Sequence, residues 1–397
     1  MRQANERLRS RVSRPHAFLA ALALAAVIAG DAASARACGG GVVSIAEAGL
    51  GADAQLIFIS VRDNNTTDIV TQIGVPASSH DYGVLLPLPA QPTLDPNPIP
   101  SDELTKLARA TAPRIIDRGS DSDGCGCPIA GSKSGGAAAP PPPITIGEPV
   151  NIGPVTAVIL DASAPEPLNA WLAANAFVVP ASAAALVSAY AGPGRTLVAV
   201  RRNAAAASDA PSSVGVHFTL PGDVRDLPLR FTRVGAAARV AFTVLIVAPE
   251  SAGPSLPFEA ITINDLNAAD LRGPGYVEAI FRAVDARQGR AFVAEFSGPA
   301  AAIPFGFGPT LTTLIDARGT LTRLSAVFAA DKLSSDVSFQ TPLGRSIPST
   351  RTLAISGARG GGAPGAVAST GWGTAAGLPL LLGLCAWAAA RRRARRR

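Results

Sequence analysis

The chain lacks the short motifs from which a reaction is usually read. Its 397 residues hold no Gly-x-Ser-x-Gly elbow, no His-Glu-x-x-His zinc helix and no phosphate loop ending in glycine-lysine. The recognisable settings for a serine nucleophile, a zinc hydrolase and a nucleotide-phosphate cradle are therefore missing. Cysteine is scarce, with four in the chain, so a hydrophobic core rather than a disulfide framework must hold the fold. Lysine is rarer still: Lys106, Lys133 and Lys332 stand against many arginines, beside abundant alanine, glycine and proline. That bias fits a GC-rich genome and carries no mechanism. No internal repeat is present.

Net positive charge is missing from the middle of the chain, although the formal total is +6. Residues 1–37 carry Arg2, Arg7, Arg9, Arg11, Arg14 and Arg36 against Glu6 and Asp31, and residues 391–397 carry six more arginines. Taking +4 and +6 from the total of +6 leaves −4 for the body. A mildly acidic body has no basic stripe for phosphates, which excludes nucleic acid as a partner.

The two ends read as trafficking signals. Met1 to His16 is basic, Ala17 to Gly30 is a continuous apolar run of 14 residues, and Ala35-Arg36-Ala37 offers small residues at signal-peptidase spacing. The run falls short of the roughly 20 residues of a spanning helix. A cleaved signal peptide over residues 1–37 is expected, leaving Cys38 first. Ala35 and Arg36 depart from the usual lipobox, so a disulfide from Cys38 is preferred over lipid attachment. At the other end, residues 357–371 form a Gly-rich flexible linker. Trp372 to Ala390 follows without a charge for 19 residues, then RRRARRR. This predicts a single transmembrane segment over 372–390 with a cytoplasmic arginine tail, so the body faces away from the cytoplasm. A permanent anchor and a processed C-terminal sorting tag both fit the span.

Between the ends the pattern is mixed and β-rich. Gln55–Arg62 and Thr67–Val75 are β-branched runs joined by Asp-Asn-Asn, a hairpin signature. Tyr82–Leu94 is an apolar strand broken by prolines, which would confine it to an edge or an exit. Ser101 is placed to cap a helix over Asp102–Ala110. Val155–Leu160, Thr196–Arg201, Gly215–Leu220, Leu227–Val234 and Arg239–Ala248 read as further strands. Glu166–Asn175, Ala181–Tyr190 and Gly275–Ala286 read as helices. The expectation is an α+β fold, with mainly antiparallel sheets and helices to one side, and a disordered loop over about residues 131–143.

An ordered series of motifs resembles the bacterial "domain of unknown function 2330" family. It comprises Cys38-Gly39-Gly40, Val84-Leu85-Leu86-Pro87-Leu88-Pro89, Cys125-Gly126-Cys127 and the helix Leu168-Asn-Ala-Trp171-Leu172-Ala-Ala-Asn175, which is similar to the family's Leu-x-x-Trp-Leu-x-x-Asn-Gly. Gly289–Phe296 and Leu321-Thr322-Arg323-Leu324 are similar to two later signatures. The likeness runs over residues 38–342, the bulk of an exported domain drawn at 38–356. It implies export and an envelope location, and no reaction. Family members commonly have a second cysteine soon after Cys-Gly-Gly; here Val42-Val43-Ser44 stand there, so Cys38 must pair elsewhere or stay free.

Cys38, Cys125 and Cys127 are the disulfide candidates in an oxidising compartment. Cys385 lies inside the apolar C-terminal span. Cys38 can bridge to either member of the Cys-Gly-Cys, or Cys125 and Cys127 can close a strained, easily reduced ring. Cys-x-Cys is not usual zinc spacing, and no histidine is near it in sequence. Residues 117–124 (DRGSDSDG) fail the calcium-loop pattern at Gly119 and Ala130. His80-Asp81-Tyr82 and the lone His217 have no nucleophile in a recognisable setting, and Glu295 reads as a solvent-facing strand residue. The expectation is a non-enzymatic interaction or surface-assembly module, membrane-held, with no catalytic residue, metal or cofactor and no identifiable protein partner. The rival is a thiol-redox or metal-binding domain built on Cys125 and Cys127.

Overall fold

A computed structural model describes residues 41–44, 52–74, 82–117, 146–177, 179–203, 206, 213–272, 275–303, 306–343, 347–349 and 352–355. The expected signal peptide, Cys38, Cys125, Cys127, the 131–143 loop, the linker and the span 372–390 lie outside the described residues. Within those described, no helix is long and apolar enough to cross a membrane.

Strand β1 (Gly41–Ser44) precedes the hairpin β2 (Ala52–Val61) and β3 (Thr66–Gly74), which has the expected Asp-Asn-Asn turn. Asn65 takes φ 58°, a left-handed conformation that asparagine tolerates, and the Arg62 amide donates to Thr66 O at 2.9 Å to close the turn. β4 (Tyr82–Leu88) is not an edge strand: it lies between β1 and the later strand Thr196–Arg202. Its Pro87 stands at the exit of the strand, past Leu85, the last β4 residue paired with β1 among the described residues.

β5 (Thr93–Leu94) and β6 (Ile99–Pro100) lead into α1 (Ser101–Thr111). Pro100, not Ser101, occupies the N-cap position, and no side chain caps the helix. Ser101 sits inside because Pro100 is still paired in β6, opposite Val214, so the chain passes straight from strand to helix. β7 (Arg114–Asp117), β8 (Val150–Ile152) and β9 (Val155–Asp161) are followed by α2 (Pro165–Ala174) and α3 (Ala181–Ser188). Then come β10 (Thr196–Arg202) and β11 (Ser213–Pro221).

The expected strand Leu227–Val234 is instead a two-residue β12 (Asp226–Leu227) and a 3-10 turn, Leu229–Arg233. Pro228 between them ends the pairing, and its carbonyl accepts the Phe231 amide at 3.1 Å. β13 (Ala236–Ala248), β14 (Gly253–Pro254), β15 (Glu259–Thr262), α4 (Ala268–Arg272), α5 (Tyr276–Asp285) and β16 (Ala291–Pro299) come next. α6 (Pro309–Leu314), β17 (Thr320–Ala329), β18 (Val337–Gln340) and β19 (Thr352–Ile355) end the described chain.

Two sheets dominate. One runs β1-β4-β10-β9-β8 and is antiparallel throughout; the other runs β15-β16-β17-β13-β2-β3-β11-β5, with β6 also on β11. The larger is mixed, since β13 lies parallel to β2 and β15 parallel to β16. Side-chain alternation sends Ile57 and Ile59 of β2, Val84 and Leu86 of β4, and Val198 and Val200 of β10 into one core between the sheets. Alternate residues point outward. Leu85, Leu197 and Ala199 meet Leu168, Trp171 and Leu172 of α2, while Phe58, Val70 and Leu245 meet Leu104 and Leu107 of α1 and Leu311 of α6.

Helices therefore cover both outer faces, not one side as the sequence suggested. The strands' composition carries the reason: β10 (TLVAVRR) and β17 (TLTRLSAVFA) are buried on both faces for most of their length, and a strand without a polar face needs cover on each side. Each large apolar side chain so buried contributes about 1.5–3 kcal/mol.

Candidate functional site

His217 sits in mid-β11, opposite Val70 of β3, while Phe218 beside it faces the shared core. Its outward ring is held between two carboxylates: Nε2 is 3.0 Å from Asp68 Oδ1 and Nδ1 is 3.0 Å from Asp95 Oδ2. Thr219 donates its hydroxyl to Asp68 Oδ1 at 2.7 Å, and Arg62 Nε donates to Asp68 Oδ2 at 2.6 Å. Arg62 Nη1 also reaches Thr313 O at 2.9 Å on α6. Asp95 is fixed in turn by the backbone and side-chain nitrogens of Asn97, both at 2.9 Å.

The cluster is 10 % exposed at His217 and Asp68 and 25 % at Asp95. Burial disfavours the imidazolium, but the hydrogen bonds and charges of Asp68 and Asp95 outweigh it, so the His217 pKa is raised. Burial likewise opposes the Asp68 carboxylate, yet His217, Thr219 and Arg62 together hold its pKa far below the usual range. Asp95 is lowered against the same burial, by Asn97 and His217. Both ring nitrogens face carboxylate oxygens, an arrangement that favours the imidazolium, in which each nitrogen donates and neither keeps a lone pair for a substrate proton. The Thr219 hydroxyl donates to a carboxylate rather than to the ring, so the nucleophile-to-base bond of a catalytic triad is not made.

A second cluster corrects the expectation for Glu295. The β16–β17 register steps from Ala294↔Leu324 to Phe296↔Arg323, leaving Glu295 as the extra residue of a β-bulge. The bulge turns the side chain inward, and it is 0 % exposed. Arg323 Nε donates to Glu295 Oε2, Tyr276 Oη donates to Oε1, and Arg323 Nη1 reaches Ala108 O at 2.7 Å and Thr111 Oγ1 at 3.0 Å. Burial pushes the Tyr276 hydroxyl pKa strongly upward, and the Glu295 charge adds to it. Arg323 thus joins β17 and β16 to the last turn of α1, where carbonyls attract a cation. The two late sequence signatures meet in this one ion pair.

A third link ties the end of α3 to the segment before β18. Tyr190 Oη donates to Asp336, 2.6 Å from each carboxylate oxygen, and the Arg230 amide donates to the same group at 2.9 Å.

The Leu168–Asn175 signature forms α2 and its terminus. The Phe177 amide donates to Leu172 O at 2.8 Å and the Ala176 amide to Ala173 O at 3.1 Å, the paired bonds of a Schellman motif. Trp171 and Phe177 close the motif with ring centroids 5.8 Å apart. Its left-handed position, φ 58°, is held by Ala176, where the signature ends on glycine. Alanine there is strained, so Ala176→Gly should raise stability by about 0.5–1 kcal/mol. A higher urea midpoint at unchanged slope is the expected readout; a lower midpoint would refute the strain.

Of the residues singled out in the sequence, Cys38, Cys125, Cys127, His80, Asp81 and residues 118–124 lie outside the described residues. Among the described residues no group of three or more His, Cys, Asp or Glu is placed to hold a metal ion. Asp68, Asp95 and Tyr276 were not singled out in the sequence. The signal available for Asp68 was an acid set inside the β-branched run Thr66–Val70.

A family model described as "Uncharacterized protein conserved in bacteria (DUF2330)" matches residues 32–272. The chain belongs to that family. The DUF2330 match takes in the His217 cluster and the α2 terminus, while Glu295 and Arg323 fall beyond it. No curated protein matches the chain. Among solved structures it is similar to a mutated baculovirus P35 after caspase cleavage, at 10 % identity and TM-score 0.25, over 52 % of this chain and 73 % of that one. So loose a likeness bears on neither fold nor function.

Proposed function

We propose that this DUF2330 protein is a non-enzymatic envelope module, exported by residues 1–37 and held by residues 372–390 with its double-sheet body outside the cytoplasmic membrane. The observation that supports the non-enzymatic part is the commitment of the one histidine among the described residues. Both nitrogens of His217 are spent on Asp68 and Asp95, which join β3, β11 and the loop after β5. The other buried ions, Glu295 and Arg323, likewise tie elements together. The acidic body between two basic ends supports the location. An interaction or assembly role follows from a stable scaffold that displays surface rather than a reactive centre.

Intact-mass measurement on the chain recovered from membranes tests this reading, with alkylation before and after reduction. The expected species begins at Cys38, retains residues 372–390 and gains two further alkylatable thiols on reduction, those of one Cys38 bridge. A chain still beginning at Met1 would overturn export. Free, exchangeable Cys125 and Cys127 would favour the thiol-redox reading instead.

A further inference from the structure

On the outer face of the smaller sheet, β9 and β10 and the end of α2 enclose a groove of about 240 Å³. None of the three ionised clusters reaches it. Val158, Trp171 and Phe177 make its walls apolar, and its polar lining is Thr156, Asn175 and Arg201. No carboxylate lines it. Arg201 is exposed, and among the described residues it has no hydrogen-bond or ion-pair partner.

The other two polar groups present acceptors. The Thr156 hydroxyl donates to Asn151 Oδ1 at 2.8 Å, leaving its oxygen lone pairs. The Asn175 amide nitrogen donates to Trp171 O at 2.9 Å, leaving Oδ1. One cation, two acceptors and an aromatic wall thus converge on a small volume. The strained Ala176, φ 58°, stands between the two lining residues Asn175 and Phe177, and strain of this kind concentrates where a site must be held in shape.

We propose that this groove binds an N-acylated apolar amino acid by its carboxylate end. The carboxylate meets the planar guanidinium of Arg201, which suits bidentate pairing. The apolar side chain lies against Trp171 and Phe177, and the adjacent N–H is accepted by Asn175 Oδ1 or Thr156 Oγ1. The same chemistry occurs in a free N-acyl amino acid and at the C-terminus of a peptide. The inference goes beyond the envelope role and holds wherever the chain resides.

The test uses the full chain with Trp372→Phe and Trp387→Phe, so that emission from the three tryptophans is reduced to Trp171. N-acetylphenylalanine and the tripeptide Ala-Ala-Phe are titrated as free acids and as amides. Saturable binding of the acids, with each amide about tenfold weaker, is expected. Arg201→Gln should erase that gap and Arg201→Lys should keep part of it. A tighter tripeptide supports a peptide end as the ligand, and equal affinities support the single residue. Absence of saturable binding, equal affinity for acid and amide, or a gap that survives Arg201→Gln would overturn the proposal.

Discussion

Replacing Arg323 with methionine should destabilise the protein by about 3–5 kcal/mol, because it strands the fully buried Glu295 carboxylate without a counter-ion. Glu295 would keep the Tyr276 hydroxyl as a donor, which cannot neutralise a charge. The double variant Glu295→Gln with Arg323→Met should recover at least about 2 kcal/mol of that loss, since it removes both charges and leaves an amide oxygen to accept from Tyr276. Urea unfolding of the wild type, Glu295→Gln, Arg323→Met and the double variant gives the cycle. A simple sum of the two single losses would mean that the groups do not act as a pair, and a cost below about 1 kcal/mol for Arg323→Met would mean that Glu295 is not sealed from water.

The His217 clamp should show in pH as well as in magnitude. His217→Gln removes a cation from between two carboxylates and should cost about 2–3 kcal/mol near pH 5.5. The sign follows from the shifts. His217 has its pKa raised, so its contribution is complete below the unfolded value of 6.5 and fades as pH rises through the folded value. Asp68 and Asp95 have theirs lowered, so their contributions are complete above the unfolded value of 3.8 and fade as pH falls through the folded values. The gap between wild type and variant is therefore widest from about pH 4 to 6.5 and narrows in alkali. Urea midpoints across pH 3–9 read it directly, and a gap as large at pH 9 as at pH 5.5, or larger, would contradict the clamp. Arg62 and Thr219 remain on Asp68 in the variant, which limits the loss.

Local chemistry made part of this fold legible. The Asp-Asn-Asn turn and the β-branched runs on either side specified β2 and β3, since both signals lie within a few neighbouring residues. The same holds for β10 and β13 and for the α2 and α3 helices. Leu227–Val234 misled because its apolar alternation outweighed Pro228, whose missing N–H and fixed φ broke the run. Helices on both outer faces were not legible, because a run of apolar residues does not say what covers each face.

The ionised clusters were the least readable. His217 and Asp68 are 149 positions apart, and Glu295 and Arg323 are 28; no periodicity links them. Glu295 defeated the period-2 rule at a place where a bulge suspends it. The family signatures marked Glu295, Arg323 and Trp171 as residues of interest without saying what each would touch.

Placement of the double-sheet body outside the cytoplasmic membrane is tested most directly by cysteine labelling at Val277, whose residue is 64 % exposed on α5. Val277→Cys should react with a membrane-impermeant maleimide in intact spheroplasts as fully as after lysis, counted as the label gained over the unsubstituted chain with its native cysteines. Labelling that appears only once the cells are lysed would put the body in the cytoplasm and contradict the account.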